Sequence, residues 1–531
     1  MYDVIIKNVK IIDGLKTPAY IDDIAISNGK IVLAPSNEEK SSQIIDGTNL
    51  CVCPGFIDAH SHGDIALGKD FTTLSKVSQG ITTDIAGQCG FTSFPVNPKT
   101  LDLLQEDLSI FTDKFSKEME EFTSFKKYLE YTKNLPLVYN TKFLVGHCTI
   151  RTAVMGFDNR KPTEDELEQM KALVREAMEN GCMGISSGLI YTPGVYCDTD
   201  ELIELCKVVK EYGGVYTTHM RNESNHLIDA INEAICVAEK AGVPLCISHY
   251  KSQGKANWGI CKEGLKIIED AINRGMDITI DQYPYESGMT HLYITIPPKY
   301  ISNGIGGLIE YLKDEKMREE IKSEMLNPTD DFENFYLNSN GFEGIFIADC
   351  PEFKDPVGMT IADYARKIGA DPFDAFFDIL IKNKGVCTAI YFTMCEDDIF
   401  TIIKNENTVV GTDGIVKSFE AKCHPRAYGT FPHAIDYFHK KNNLFTLEEI
   451  IAKITNLPAT KYKIANKGAI KDGYDADLVI FDYDKIGPGN TYQEPDLVSE
   501  GIEYVIVGGE VIYHDKKLTG KTPGKVILHN V

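Results

Sequence analysis

Eight short apolar stretches alternate with helical periodicity between residues 54 and 465, and this alternation restricts the fold more than any other feature of the chain. The stretches fall at 55–60, 82–86, 142–146, 183–187, 215–219, 245–249, 278–283 and 408–411. Apolar residues at helical spacing fill the intervals, as at 164–180, 227–241 and 261–274. Eight strands alternating with helices predict an α/β fold, a (β/α)8 TIM-like barrel. Residues 284–407 separate the seventh strand from the eighth, far more than one helix needs. An inserted subdomain is therefore expected between strands 7 and 8, over about 287–345. It includes a charged helix at 313–325. Insertions of this size beside a barrel mouth often serve as lids.

Both ends of the chain read differently. Val4-Ile5-Ile6, Ile24-Ala25-Ile26 and Ile31-Val32-Leu33 are broken by Asp13-Gly14, Asn28-Gly29 and Asp46-Gly47. Apolar runs separated by Asn-Gly and Asp-Gly are hairpin signals. The C-terminal end repeats the pattern at 478–481, 504–507 and 511–513, around Gly508-Gly509. One small β-sandwich domain built from both termini is the simplest arrangement. The expected division is 1–53 and 466–531 for that domain and 54–465 for the barrel.

Lys and Arg total 54 against 78 Asp and Glu, a net charge of −24. Such a field repels phosphate backbones and anionic lipid, so no nucleic-acid or membrane partner is expected. No apolar run approaches the roughly 20 residues of a membrane span, and the first residues read as a strand rather than a leader. The 14 cysteines are scattered. A chain of this length does not need disulfide staples, which points to a reduced, cytoplasmic protein whose cysteines are mostly buried.

The first strand ends Phe56-Ile57-Asp58-Ala59-His60-Ser61-His62. Residues i and i+2 of a strand share a face, so His60 and His62 project together toward the barrel mouth. His219 closes the fifth strand, His249 the sixth, and Asp413 follows the eighth. Cys89 follows the second within Gln88-Cys89-Gly90-Phe91. Barrel enzymes carry their chemistry at these strand ends. Five metal-capable side chains and a carboxylate thus converge, and Zn²⁺ accepts both imidazole and thiolate while leaving a position for water.

These residues also carry a resemblance. The 54–62 segment, the strand-end histidines and the final Asp resemble the amidohydrolase superfamily. Several blocks resemble its N-acyl-D-amino-acid deacylases, the D-aminoacylases. They are Gln88-Cys89-Gly90-Phe91, Gly146-His147-Cys148-Thr149-Ile150-Arg151, GISSGLIYTP at 184–193, His219-Met220-Arg221-Asn222-Glu223, ISHYK at 247–251, Asp281-Gln282-Tyr283-Pro284-Tyr285 and HPRAYGTF at 424–431. The tail Gly473-Tyr474-Asp475-Ala476-Asp477-Leu478-Val479 matches as well. The resemblance implies one tightly held zinc on Cys89, His219 and His249. A second, weaker position would use His60, His62 and Asp413, with Cys89 bridging. Many superfamily members use a carboxylated lysine from the fourth strand, but 183–188 holds none.

The implied reaction is hydrolysis of the amide of N-acyl-D-amino acids to a carboxylate and a free D-amino acid. Asp413 would act as general base toward a metal-activated water, then pass the proton to the leaving nitrogen. The substrate is thus a small molecule carrying a carboxylate, and the resemblance gives Lys251, Tyr283 and Arg426 to its grip. Tyr191 is expected to line the pocket. Relatives often carry a small hydroxyl residue where Met289 stands, a contact that Ser287 or Thr290 would then supply. His147 and Arg151 are expected to stand behind these groups. Two other readings are a cyclic-amide hydrolase of the hydantoinase or dihydroorotase kind and a non-catalytic scaffold of the same fold. The missing fourth-strand lysine and the HPRAYGTF block argue against the first, the complete ligand set against the second.

Overall fold

The computed structural model describes residues 1–35, 41–112, 115–328 and 332–529. Its architecture is mixed α/β. Strands form at each of the eight expected places, with ends shifted by one or two residues. Phe56–Ser61, Ile81–Ala86 and Asn140–Phe143 make one parallel sheet. Val145–Gly146, Gly184–Gly188, Val215–His219, Leu245–Ile247, Ile278–Gln282 and Thr408–Val410 make a second, also parallel. Nearly every residue in them is buried. Sheets covered on both faces favour apolar runs, and here buried polar residues such as Thr83, Asp84, Ser186 and Thr217 interrupt them. The third strand breaks at Leu144. There the Leu144 N–H donates to the Ala86 carbonyl at 2.9 Å, and the Met183 N–H donates to Phe143 at 2.8 Å. At the other side Ser61 bridges Gly414 in parallel, and the Asp413 N–H donates to the His60 carbonyl at 2.9 Å.

The intervening helices follow their sequence signals. Glu164–Glu179 opens on a capping box between Thr163 and Glu166, which satisfies two N–H groups that the first turn leaves free. It buries Met170, Val174, Ala177 and Met178, one stripe at helical spacing. Leu227–Ala241 ends at Gly242, whose left-handed φ of 75° closes the helix.

After Ile278–Gln282 the chain leaves the parallel sheets. Thr388–Phe392 lies between Ser287–His291 and Ile345–Asp349 in an antiparallel sheet. Helices such as Gly304–Lys313 and Pro372–Lys382 pack on it around a separate apolar cluster that includes Leu308, Ile321, Ile345, Phe376 and Leu380. The excursion therefore returns at Phe392, beyond the 345 expected from sequence. The strand that completes its sheet is apolar like its neighbours, so periodicity alone gave no boundary. The charged helix runs Glu315–Leu326. Asp314 caps it by accepting the Met317 N–H at 3.0 Å, which ends the preceding helix at Lys313.

Nine strands from the two termini form one hydrogen-bonded sheet. Cys51–Pro54 joins them, pairing with Tyr2–Ile11 on one side and Leu478–Phe481 on the other. Its buried face carries Val4, Ile6, Ile24, Ile26, Leu478, Ile480 and Ile506. The 28–29 turn meets the 508–509 turn, where Gly29 Cα has no room for a side chain: an added Cβ would lie 2.8 Å from the Gly508 carbonyl oxygen. No helix among the described residues is long and apolar enough to cross a membrane.

Candidate metal centre

The strand ends deliver their side chains to one place. His60 Nε2 lies 3.2 Å from Cys89 Sγ, and His249 Nε2 lies 3.3 Å from the same sulfur. Asp413 Oδ1 lies 3.6 Å from His60 Nε2 and 3.1 Å from His62 Nε2. His60, Cys89, His249 and Asp413 each offer a donor atom within 4.8 Å of the others, and all four residues are buried. A tetrahedral zinc site with bonds of about 2.0–2.3 Å has donor–donor edges of roughly 3.5 Å. The observed spacings match those edges, so the residues present fit such an ion.

A second donor group adjoins the first. His219, Glu223 and His249 also lie within 4.8 Å of one another. The His219 and His249 rings are 4.4 Å apart, and neither buried His219 ring nitrogen makes a hydrogen bond, although Nε2 lies 3.4 Å from Glu223 Oε2. Buried imidazole nitrogens are normally paired, so this pair suits a ligand rather than a core side chain. His249 belongs to both groups. His60, rather than His219, stands with Cys89 and His249 in the four-residue group. His62 sits at the edge, on Asp413.

Three of these residues adopt an unusual backbone. Cys89, His249 and Asp413 have φ of 54°, 34° and 46°. Left-handed non-glycine residues cost energy and collect at functional sites. The strain aims side chains that follow a strand end back over the sheet. Gly188 lies directly behind Cys89, and an alanine Cβ there would come 2.1 Å from the Cys89 carbonyl oxygen. Gly188→Ala is expected to destabilise the fold by about 3 kcal/mol, read by urea denaturation, and to lower zinc retention. A variant as stable as the parent would show that the Cys89 loop yields freely.

Further carboxylates hold the imidazoles. Asp281 lies 3.1 Å from His60 Nδ1 and accepts the His249 N–H at 2.7 Å. Glu223 lies 3.1 Å from His249 Nδ1 and accepts from Lys251 Nζ at 2.7 and 2.8 Å. On His60 the tautomer that donates Nδ1–H to Asp281 leaves the Nε2 lone pair facing Cys89, while His249 Nδ1 lies 2.8 Å from Lys251 Nζ as well as 3.1 Å from Glu223. Sequence reasoning gave no role to either acid. Asp281 was legible, since it precedes Tyr283 by two residues at a strand end and shares its face. Glu223 lies beyond the strand in an irregular loop, where no periodicity marks it.

Electrostatics follows from burial and pairing. Burial works against charge on His60, but Asp281 raises its imidazole above the ordinary value. Burial pushes His62 down to about 4 and holds His219 and His249 well below their usual range. Burial opposes ionisation of Asp413, yet Arg426, with Nη1 2.9 Å from Asp413 Oδ2, keeps the carboxyl well below the usual carboxylate range. Burial raises the Cys89 thiol far above its free value.

Tyr191, Lys251, Tyr283 and Arg426 line the pocket over these groups, together with Gly288 and Thr290. The Arg426 guanidinium lies 4.7 Å over the Tyr283 ring, and its Nη2 donates to the Met289 carbonyl at 3.2 Å. Ser287 does not reach the pocket. Its hydroxyl lies 2.8 Å from His424 Nε2 and 2.6 Å from the Tyr492 hydroxyl, and the side chain is fully buried there. Strand alternation turns Gly288 and Thr290 to the pocket instead, and the Thr290 hydroxyl comes 3.5 Å from that of Tyr191. His147 and Arg151 are bound away from the pocket, both on Glu201.

The family model for amidohydrolases matches residues 43–293 and 357–513, leaving out a stretch inside the excursion. The chain is 30% identical to the D-aminoacylase of Alcaligenes xylosoxydans xylosoxydans, across 99% of this chain and 97% of that protein. A crystal structure of D-aminoacylase superimposes with a TM-score of 0.83 at 31% identity, covering 100% of both chains. N-acyl-D-glutamate deacylase from Bordetella bronchiseptica, solved with zinc and a phosphonate mimic of the tetrahedral intermediate, gives 0.82 at 28% identity, covering 99% of both.

Proposed function

The chain belongs to the amidohydrolase family, and from that premise we propose that it is a zinc-dependent hydrolase of N-acyl-D-amino acids, releasing a carboxylate and the free D-amino acid. The observation that carries this reading is the buried donor set His60, Cys89, His249 and Asp413, with donor atoms inside 4.8 Å. The D-aminoacylase and N-acyl-D-glutamate deacylase above support the substrate class. A cyclic-amide substrate is disfavoured because Gly184–Gly188 offers no lysine.

A tightly held zinc would rest on Cys89, His219 and His249, and a second, weaker one would use His60, His62 and Asp413, with Cys89 and His249 standing between the two groups. His219, whose buried ring nitrogens make no hydrogen bond and whose ring lies 4.4 Å from that of His249, supports the first, and the contacts of Asp413 with His60 and His62 support the second. When bound, zinc lowers the pKa of a coordinated water to about 7 and polarises the amide carbonyl. Asp413, held ionised by Arg426, takes the proton of the attacking water and returns it to the amide nitrogen, whose departure requires protonation. Arg426 and Tyr283 hold the substrate carboxylate, whereas Lys251, expected in that grip, is held on Glu223.

The finer architecture belongs to the same reading. The Leu144, Met183 and Ser61–Gly414 links join the two parallel sheets at both sides. They support a closed (β/α)8 barrel over 54–465, with its mouth at the strand ends that carry the ligands. The excursion after strand seven is its inserted subdomain. The terminal segments, 1–53 and 466–531, make one small β domain about their shared apolar face, with a single nine-stranded sheet in place of the two sheets of the expected β-sandwich. Fourteen unpaired cysteines, most of them buried, fit a reducing cytoplasm.

The purified protein is expected to hold about one tightly bound zinc per chain and to release amine from N-acetyl-D-amino acids far faster than from the L-forms. Chelation should abolish turnover, and added zinc should restore it. Equal turnover of L-forms would remove the stereochemical claim, and a metal-free protein with full activity would remove the mechanism.

A further inference from the structure

Only two cations line the pocket among the described residues: Lys251, held fully by a buried carboxylate, and Arg426, which faces Asp413 but keeps a donor free. Lys251 Nζ is committed to both oxygens of Glu223, at 2.7 and 2.8 Å. Arg426 is partly committed: Nη1 faces Asp413 at 2.9 Å and Nη2 the Met289 carbonyl at 3.2 Å. Its Nε is buried and has no protein partner. Asp281, buried behind His60, adds further negative charge. The pocket can therefore neutralise one incoming carboxylate through Arg426, the α-carboxylate that every N-acyl amino acid carries. No cation remains for a second.

The rest of the wall is uncharged. Tyr191, Thr290, Phe335, Tyr391, Thr393 and Met394 contribute rings, a thioether and hydroxyls. Phe335, Tyr391 and Thr393 come from the excursion after strand seven, or from its return, and close the side facing Arg426. Aromatic and thioether surface gains from burying an apolar side chain, whereas a carboxylate left unpaired there costs its full desolvation.

We propose that this site selects N-acyl-D-amino acids with uncharged, apolar side chains and rejects the dicarboxylates N-acyl-D-aspartate and N-acyl-D-glutamate. The inference rests on the deacylase reading above and narrows it. It separates this chain from relatives of similar identity, since an N-acyl-D-aspartate deacylase matches at the same 30%.

The test uses the zinc-loaded full chain with N-acetyl-D-methionine, -leucine and -phenylalanine against N-acetyl-D-aspartate and -glutamate. The expected result is a kcat/KM at least 100-fold higher for the apolar group. Calorimetric titration with methylphosphonate analogues of N-acetyl-D-methionine and N-acetyl-D-glutamate gives a readout independent of turnover, and the same order of affinity is expected. Thr290→Lys, which adds a cation to the pocket wall, should narrow the gap by about tenfold. Comparable turnover of dicarboxylates and apolar substrates by the parent protein overturns this inference and leaves the deacylase reading intact. No turnover of any N-acetyl-D-amino acid overturns that reading first. If Thr290→Lys does not fold, the parent panel and the titrations decide alone.

Discussion

Asp413→Asn is expected to keep its zinc and lose turnover by about 1,000-fold, within the range that a positioned general base contributes. The substitution is chosen for what it leaves unchanged. Asn is nearly isosteric with Asp and is among the few side chains that tolerate a left-handed backbone, so the φ of 46° at position 413 survives. The remaining donors, Cys89, His60, His219 and His249, still surround the ion. What disappears is the anionic oxygen 3.1 Å from His62 Nε2, and with it the acceptor for the proton. Asn also releases Arg426 from its charge partner, so KM is expected to fall or stay level while kcat collapses. Metal analysis alongside steady-state kinetics checks both halves. A variant within tenfold of the parent kcat would mean that another group takes the proton; Glu223 is the next carboxylate in reach of the ligands.

The contrast between Asp413 and Glu223 shows what the sequence could convey. His60, His62, His219, His249 and Asp413 were legible because each ends or follows a strand, and a strand end fixes direction as well as position. The strands were legible because each keeps apolar residues such as Ile85, Ile185, Ile247 and Ile280 in a short buried run. Glu223 sits four residues past His219 in a loop stabilised by contacts with Lys251, Gln253 and Glu333, all distant in sequence. Local pattern holds no trace of such contacts. The same limit explains Ser287. Its hydroxyl resembles a pocket donor in sequence, but the strand Ser287–His291 alternates faces, and the register puts Thr290 where Ser287 was expected. The left-handed backbone at Cys89 and His249 was equally hidden, since neither residue type favours it. The return of the excursion at Phe392 depends on pairing with Ser287–His291, a contact across about a hundred residues that periodicity does not encode.

Cys89→Ser is expected to lower zinc affinity at least 100-fold and to change the protons released on binding. The reasoning begins with burial. Removed from water and near Asp413 and Asp281, the Cys89 thiol is held far above its free value, so the metal-free protein carries it protonated. Zinc binds thiolate, so uptake must expel that proton. Below the thiol pKa, affinity should therefore rise about tenfold for each pH unit, and titration calorimetry in buffers of different ionisation enthalpy should report about one proton released per zinc. The two histidines of the tight position add little to this release near neutrality, whereas His60, raised by Asp281, would add a proton only on filling the second position. His219 and His249, kept well below their ordinary range by burial, are already neutral there. Serine fills nearly the same space but presents a hard oxygen that stays protonated, so the variant should bind zinc weakly, with no proton released and with a shallow pH dependence. Zinc uptake by the parent without proton release would mean that Cys89 is not a ligand, and the ion would then have to rest on imidazole and carboxylate alone.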